Sequence, residues 1–193
     1  MAPTLSEDEI GDLIYLARTG ENEDLTTILT ALAERENVSP ASILSAAKDE
    51  GKSTCLHMAA ANGHLETVTL LLSHFTSSPP EKQAFLDAPN EYGNTSLHWA
   101  ALSGHLPVVK ALVEAGAGVA IANDKNYVPL DLAGFNEKMD VVDYFLAQSG
   151  MLEKENGEEG LKGGLEGVEV GEEGEEEAVE GEEVVEKGRS PLA

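Results

Sequence analysis

The sequence predicts an all-α fold, a solenoid of about four helix–turn–helix repeats with a disordered acidic C-terminal tail. Three observations carry that reading. The run Thr54-Cys55-Leu56-His57-Met58-Ala59-Ala60 returns 41 residues later as Thr95-Ser96-Leu97-His98-Trp99-Ala100-Ala101, and 33 residues after that, degraded, as Val128-Pro129-Leu130-Asp131-Leu132-Ala133. Each copy is followed by a second apolar segment with helical spacing, Val68 to Leu72, Val108 to Val113 and Val141 to Leu146. No stretch shows the sustained alternation of a half-buried strand.

The first unit, residues 8–36, is divergent. Leu13 to Gly20 imitates the repeat helix, and Leu25, Ile28 and Leu29 belong to its partner. A terminal repeat has one face toward water and is expected to be atypical. An insertion over 38–47 follows. The second unit, 49–75, places Thr54 where an N-cap belongs and Gly63 where the first helix must stop with positive φ. A second insertion, 76–89, contains Pro79-Pro80, which interrupts the chain, and Glu81 to Leu86, enough for a helical turn. Insertions in a solenoid fall on one face, often the binding face. The third unit, 90–122, is the most regular, with Thr95 and Gly104 in the capping and stop positions. The degenerate last unit, 123–149, has Pro129 at its first helical position. Ala59, Ala60, Ala100 and Ala101 let neighbouring helices approach closely. Residues 151–193 hold 15 Glu, 4 Lys+Arg, 9 of the 19 Gly and no aromatic. Such a tail cannot bury enough apolar surface to offset the entropy of ordering.

Composition bounds the partner. The 193 residues carry 36 Asp+Glu against 12 Lys+Arg, a net charge of −24. A polyanion repels nucleic acid and anionic membranes and favours a basic protein. Cys55 is the one cysteine, so neither an internal disulfide nor a cysteine-based zinc site is expected. The first residues have no basic, apolar leader pattern, and no apolar run approaches 18 residues, so a soluble intracellular protein is expected. His57, His64, His98 and His105 recur with the repeat rather than with metal spacing. Gly51-Lys52-Ser53 resembles the end of a phosphate loop, but Ala46 stands where the earlier glycine is required and no strand precedes it. No catalytic residue, metal or cofactor is expected.

These runs resemble the ankyrin repeat, with its period of 33 and T-P-L-H-x-A signature. Residues 90–122 carry the pattern almost in full and 49–75 nearly so. Cys55 and Ser96 replace proline, Lys52 replaces a turn glycine, and Val128, Asp131, Glu137 and Lys138 replace Thr, His, Gly and His. The resemblance implies a concave protein-binding groove lined by turn tips and the exposed sides of the first helices. It assigns Glu50, Glu91, Tyr92, Asp124 and Tyr127 to the tips. It assigns Asn62, Leu102 and Phe135 to the helix faces, with Met58 and Trp99 bordering them. Aromatic anchors among acids suit a partly apolar, basic ligand. The order of features is also similar to that of fungal ankyrin-repeat chaperones of small-subunit ribosomal protein three. The shared features are the divergent first repeat, the run Leu56 to His64, the long insertion, the run Gly93 to Ala100, the degenerate last repeat and the acidic tail. This similarity implies a monomer that binds and keeps soluble a basic ribosomal protein during small-subunit biogenesis, in cytoplasm and nucleus. The alternative is a signalling or transcription adaptor on the same repeats, distinguished by its partner's charge.

Overall fold

Capping residues set the helix boundaries in the computed structural model, which describes residues 3–75 and 79–148. Ser6 opens α1 (Glu7–Thr19) with a reciprocal capping box to Glu9, and α2 (Asn22–Glu36) completes the first hairpin. The insertion after it forms α3 (Pro40–Ala46). Thr54 opens α4 (Cys55–Ala61), which pairs with α5 (Leu65–Ser73). The second insertion carries α6 (Pro79–Leu86). Thr95 opens α7 (Ser96–Ser103), paired with α8 (Leu106–Glu114). The last unit contributes α9 (Pro129–Phe135), with Pro129 at its first position, and α10 over 139–148. Among the described residues the one β-type pairing is an isolated bridge between Lys48 and Thr54.

The helices stack in two rows. Helices α1, α4, α7 and α9 follow one another in the first, and α2, α5 and α8 in the second. Ala17, Ala59, Ala60, Ala100, Ala101 and Ala133 are fully buried, so small side chains occupy the positions where first-row helices meet. Leu13, Leu56 and Leu97 fill the space toward the second row, where Leu25, Val68, Leu71, Val109 and Leu112 are buried. Each leucine contributes about 1.5–3 kcal/mol of burial.

Adjacent repeats are stitched at the helix stops. Gly20, Gly63 and Gly104 have φ of 78°, 77° and 80°. The His64 ring lies on Gly20, the His105 ring on Gly63, and the Lys138 stem on Gly104. A Cβ at any of the three would sit 2.7–2.8 Å from the covering side chain. His64 Nε2 meets the Arg18 carbonyl at 2.9 Å, and His105 Nε2 the Ala61 carbonyl at 3.1 Å. Lys138 covers its glycine with aliphatic carbons alone, which is how the degenerate repeat dispenses with histidine. The chain before α1 is pinned by Arg35, which bonds Glu9, Glu36 and the Thr4 carbonyl. That guanidinium, with the Ser6 N–H, holds the Glu9 carboxyl at about 2.

Both insertions, which the sequence leaves open as rivals of the groove for partner binding, pack on second-row elements. Helix α3 packs on α2 and buries Ala41, Ile43 and Leu44. In α6, Phe85 stacks on Phe75 with ring centroids 4.4 Å apart, and Leu86 is buried. Gln83 donates to the Gly116 carbonyl, and the carboxylate of Asp87 accepts from Gly118 N–H. Both segments are second-row packing. Pro79 opens α6, so the proline pair starts a helix as well as ending the preceding loop. The expected disorder of 151–193 lies outside the described residues.

Candidate protein-binding site

Three turns precede α4, α7 and α9 and share one construction. Asp49, Asn90 and Asn123 each pair their backbone N–H with the carbonyl four residues on, at Ser53, Asn94 and Tyr127. Their side chains then cap the turn from inside: Asp49 accepts from Ser53 N–H, Asn90 from Tyr92 and Asn94 N–H, and Asn123 from Lys125 and Tyr127 N–H. The fourth residue of each turn has positive φ: Lys52 at 60°, Gly93 at 73° and Asn126 at 63°. The first therefore holds lysine where glycine is the unstrained choice. Neighbouring turns are tied by Glu91 N–H to the Gly51 carbonyl and Asp124 N–H to the Tyr92 carbonyl. The result is a row of fingers whose tips present Glu50, Glu91 and Tyr92, and Asp124 and Tyr127, all exposed.

Two buried histidines lock the second and third fingers, one each, to the helix before it. His57 Nδ1 is 3.1 Å from Thr54 N–H and must accept from it, so the ring proton sits on Nε2, which donates to the Asn94 carbonyl at 3.0 Å. His98 repeats this between Thr95 N–H and the Tyr127 carbonyl. Burial pushes His57 from its ordinary 6.5 down to about 4 and lowers His98 as well. Both are neutral supports, not acid–base groups. Asp131 takes the role at the third position, accepting from Val128 N–H at 2.9 Å. Cys55, wholly buried, has its thiol pushed up to about 12 by burial and is inert at neutral pH.

The fingers and the first row enclose a cleft of about 280 Å³ between the second and third fingers. It brings together five of the residues assigned from sequence: Tyr92, Trp99, Leu102, Asp124 and Tyr127. Phe135, 64% exposed, joins through an edge-to-face contact with Tyr127 at 5.0 Å. Tyr92 is 60% exposed, and Glu91, exposed at the same fingertip, keeps its carboxylate near Gly51 of the first finger, outside the cleft lining. Glu50, Met58 and Asn62 sit one repeat earlier, outside the cleft; the Asn62 amide donates to the Met58 carbonyl of its own helix. Trp99 has two roles: its ring lines the cleft, while its indole Nε1 is enclosed and meets no acceptor among the described residues. No described residue of either insertion lines the cleft.

Three contributors escape a sequence reading centred on the histidine. Asn123 and Leu132 line the cleft, and Tyr15 is 59% exposed on α1. Tyr15, Met58, Trp99 and Leu132 each lie five residues before a helix stop, at Gly20, Gly63, Gly104 and Glu137. Registering the repeats on their ends, not on their histidines, places all four in one column. Asn123 stands five residues before Val128, as Asp49 and Asn90 stand before Thr54 and Thr95.

A family model described as ankyrin repeats (3 copies) matches residues 12–123 and 82–156. The ankyrin repeat-containing protein YAR1 of Saccharomyces cerevisiae is 40% identical over 158 residues, 80% of this chain and 76% of that protein. A chain in the crystal structure of the yeast ribosomal protein Rps3 in complex with its chaperone Yar1 matches with a TM-score of 0.69 at 38% identity. The match covers 75% of this chain and 95% of that one.

Proposed function

The chain belongs to the ankyrin-repeat family, and from that premise we propose that it is a dedicated chaperone of small-subunit ribosomal protein three. It binds this basic client in cytoplasm and nucleus and keeps it soluble until the small subunit takes it up. The observation that carries this reading is the match, over four-fifths of the chain, to a yeast protein whose crystal structure is of a chaperone holding Rps3.

A protein built to contact RNA exposes cationic surface, and free in the cell it aggregates or meets the wrong polyanion. A chain of net charge −24 with an aromatic cleft between acidic fingers screens that surface and anchors it. RNA displaces the screen during assembly. The work is non-enzymatic: the buried histidines are consumed by backbone bonds and the thiol is inert.

The segment 151–193, with a net charge of −11, adds range rather than contacts. One exposed ion pair is worth at most about 1 kcal/mol, but many act together on the encounter rate. Deleting 151–193 is expected to slow association with the client and flatten its salt dependence, leaving a residual complex. Stopped-flow rates against ionic strength read this directly. An unchanged rate means the segment only solubilises the chain. The proposal as a whole is tested by affinity capture with the full chain as bait. A stoichiometric basic ribosomal protein supports it; a stoichiometric neutral or acidic regulatory protein replaces it with the adaptor.

A further inference from the structure

The cleft has an uneven chemistry that says which side chain enters it. Its lining combines the apolar side chains of Trp99, Leu102 and Leu132 with the phenol-bearing Tyr92 and Tyr127. Asp124 is the one carboxylate of the lining, placed at the third fingertip, where its backbone N–H is already committed to the Tyr92 carbonyl. A wholly apolar occupant would bury the approach to Asp124 and leave that charge without a partner, at a cost in desolvation. A long side chain with an aliphatic stem and a cationic end satisfies every wall. The stem lies on Trp99 and the leucines, the cation lies over the electron-rich Tyr faces, and the carboxylate closes the site.

We infer that this cleft is the anchor site for a single arginine side chain of the partner. Arginine is favoured over lysine because its planar guanidinium stacks on rings while still donating to a carboxylate, and it is the less strongly hydrated of the two. The inference deepens the chaperone reading and rests on it only for the partner's positive charge. Lys125 supplies the contrast. It is the one cationic residue of the lining, since the buried His98 is neutral, and it lies exposed at the same fingertip, where it opposes a cationic occupant. A cleft for an apolar side chain would be indifferent to it.

The chain contains one tryptophan, so the indole N–H resonance of Trp99 reports occupancy without labels elsewhere. The experiment titrates the full chain with N-acetyl-arginine amide and, separately, with N-acetyl-leucine amide, following that resonance. The expected result is a saturable shift with the arginine compound at about fivefold lower concentration than with the leucine compound. Asp124→Asn abolishes that preference, and Lys125→Glu strengthens it by a similar factor. Both positions are exposed fingertips whose structural bonds run through the backbone, so both variants keep the fold. Equal response to the two compounds, or indifference to both substitutions, overturns the inference in favour of an apolar anchor. No saturable response to arginine overturns it outright. None of these readouts uses the ribosomal client, so a failure here is separate from a failure of the chaperone reading.

Discussion

Trp99→Ala combined with Tyr127→Ala lowers affinity for ribosomal protein three about a hundredfold while the domain remains folded. Both rings line the cleft, and truncating two aromatic anchors at the centre of an interface removes on the order of 3 kcal/mol. Trp99 is half-buried, with its enclosed Nε1 unpaired, so little hydrogen bonding is lost with it. Tyr127 is exposed, and the finger uses its backbone N–H and carbonyl, both of which survive the substitution. The single substitutions should each give a smaller loss. Calorimetric titration of the double variant, beside its thermal melt, checks the result. Unchanged affinity moves the site off the cleft, and a collapsed melting temperature makes Trp99 a core residue rather than an anchor.

His57→Leu lowers stability by about 3 kcal/mol at pH 7.5, and that difference shrinks to about 1 kcal/mol at pH 5. The substitution leaves Thr54 N–H and the Asn94 carbonyl unpaired in a buried position, each a loss of about 1–3 kcal/mol. The pH dependence follows from linkage. His57 has a folded pKa of about 4, below its ordinary 6.5. The unfolded chain therefore binds the proton more readily. Stabilisation from the neutral ring is complete above 6.5 and is lost as pH falls toward 4. By pH 5 the natural chain has given up about 2 kcal/mol of it. His98 acts in the same direction. The variant has no such group at 57, so its curve is flatter there. Urea unfolding at both pH values measures the gap; a gap independent of pH contradicts the assigned tautomer and burial.

How much of this was legible beforehand depends on which residue carried the message. Thr54, Thr95, Gly63 and Gly104 announce helix ends by chemistry that needs no tertiary context, and the structure places them as caps and stops. Tyr92, Trp99, Leu102, Asp124 and Tyr127 could be brought to one face because the repeat period converts sequence position into spatial position. Tyr15 and Leu132 were in register, through Gly20 and Asp131, but an apolar residue in an atypical terminal repeat reads first as packing. The helix stop supplies the same register from the other end, through Gly20 and the positive-φ Glu137. The placement of the insertions was not legible for a different reason. Whether an inserted segment faces a ligand or the core is decided by its own apolar residues meeting others far along the chain. The stacking of Phe85 on Phe75 and the burial of Ile43 and Leu44 are such long-range outcomes.

The most direct test of the central claim is light scattering by ribosomal protein three, purified in denaturant and diluted into physiological salt with and without an equimolar amount of this chain. The expected result is that the client alone scatters within minutes, whereas the equimolar mixture stays clear and elutes as one stoichiometric complex. The Trp99→Ala, Tyr127→Ala variant restores scattering. If the client aggregates equally fast with and without the natural chain, the protein is not its chaperone, and the acidic fingers and their cleft serve a different partner.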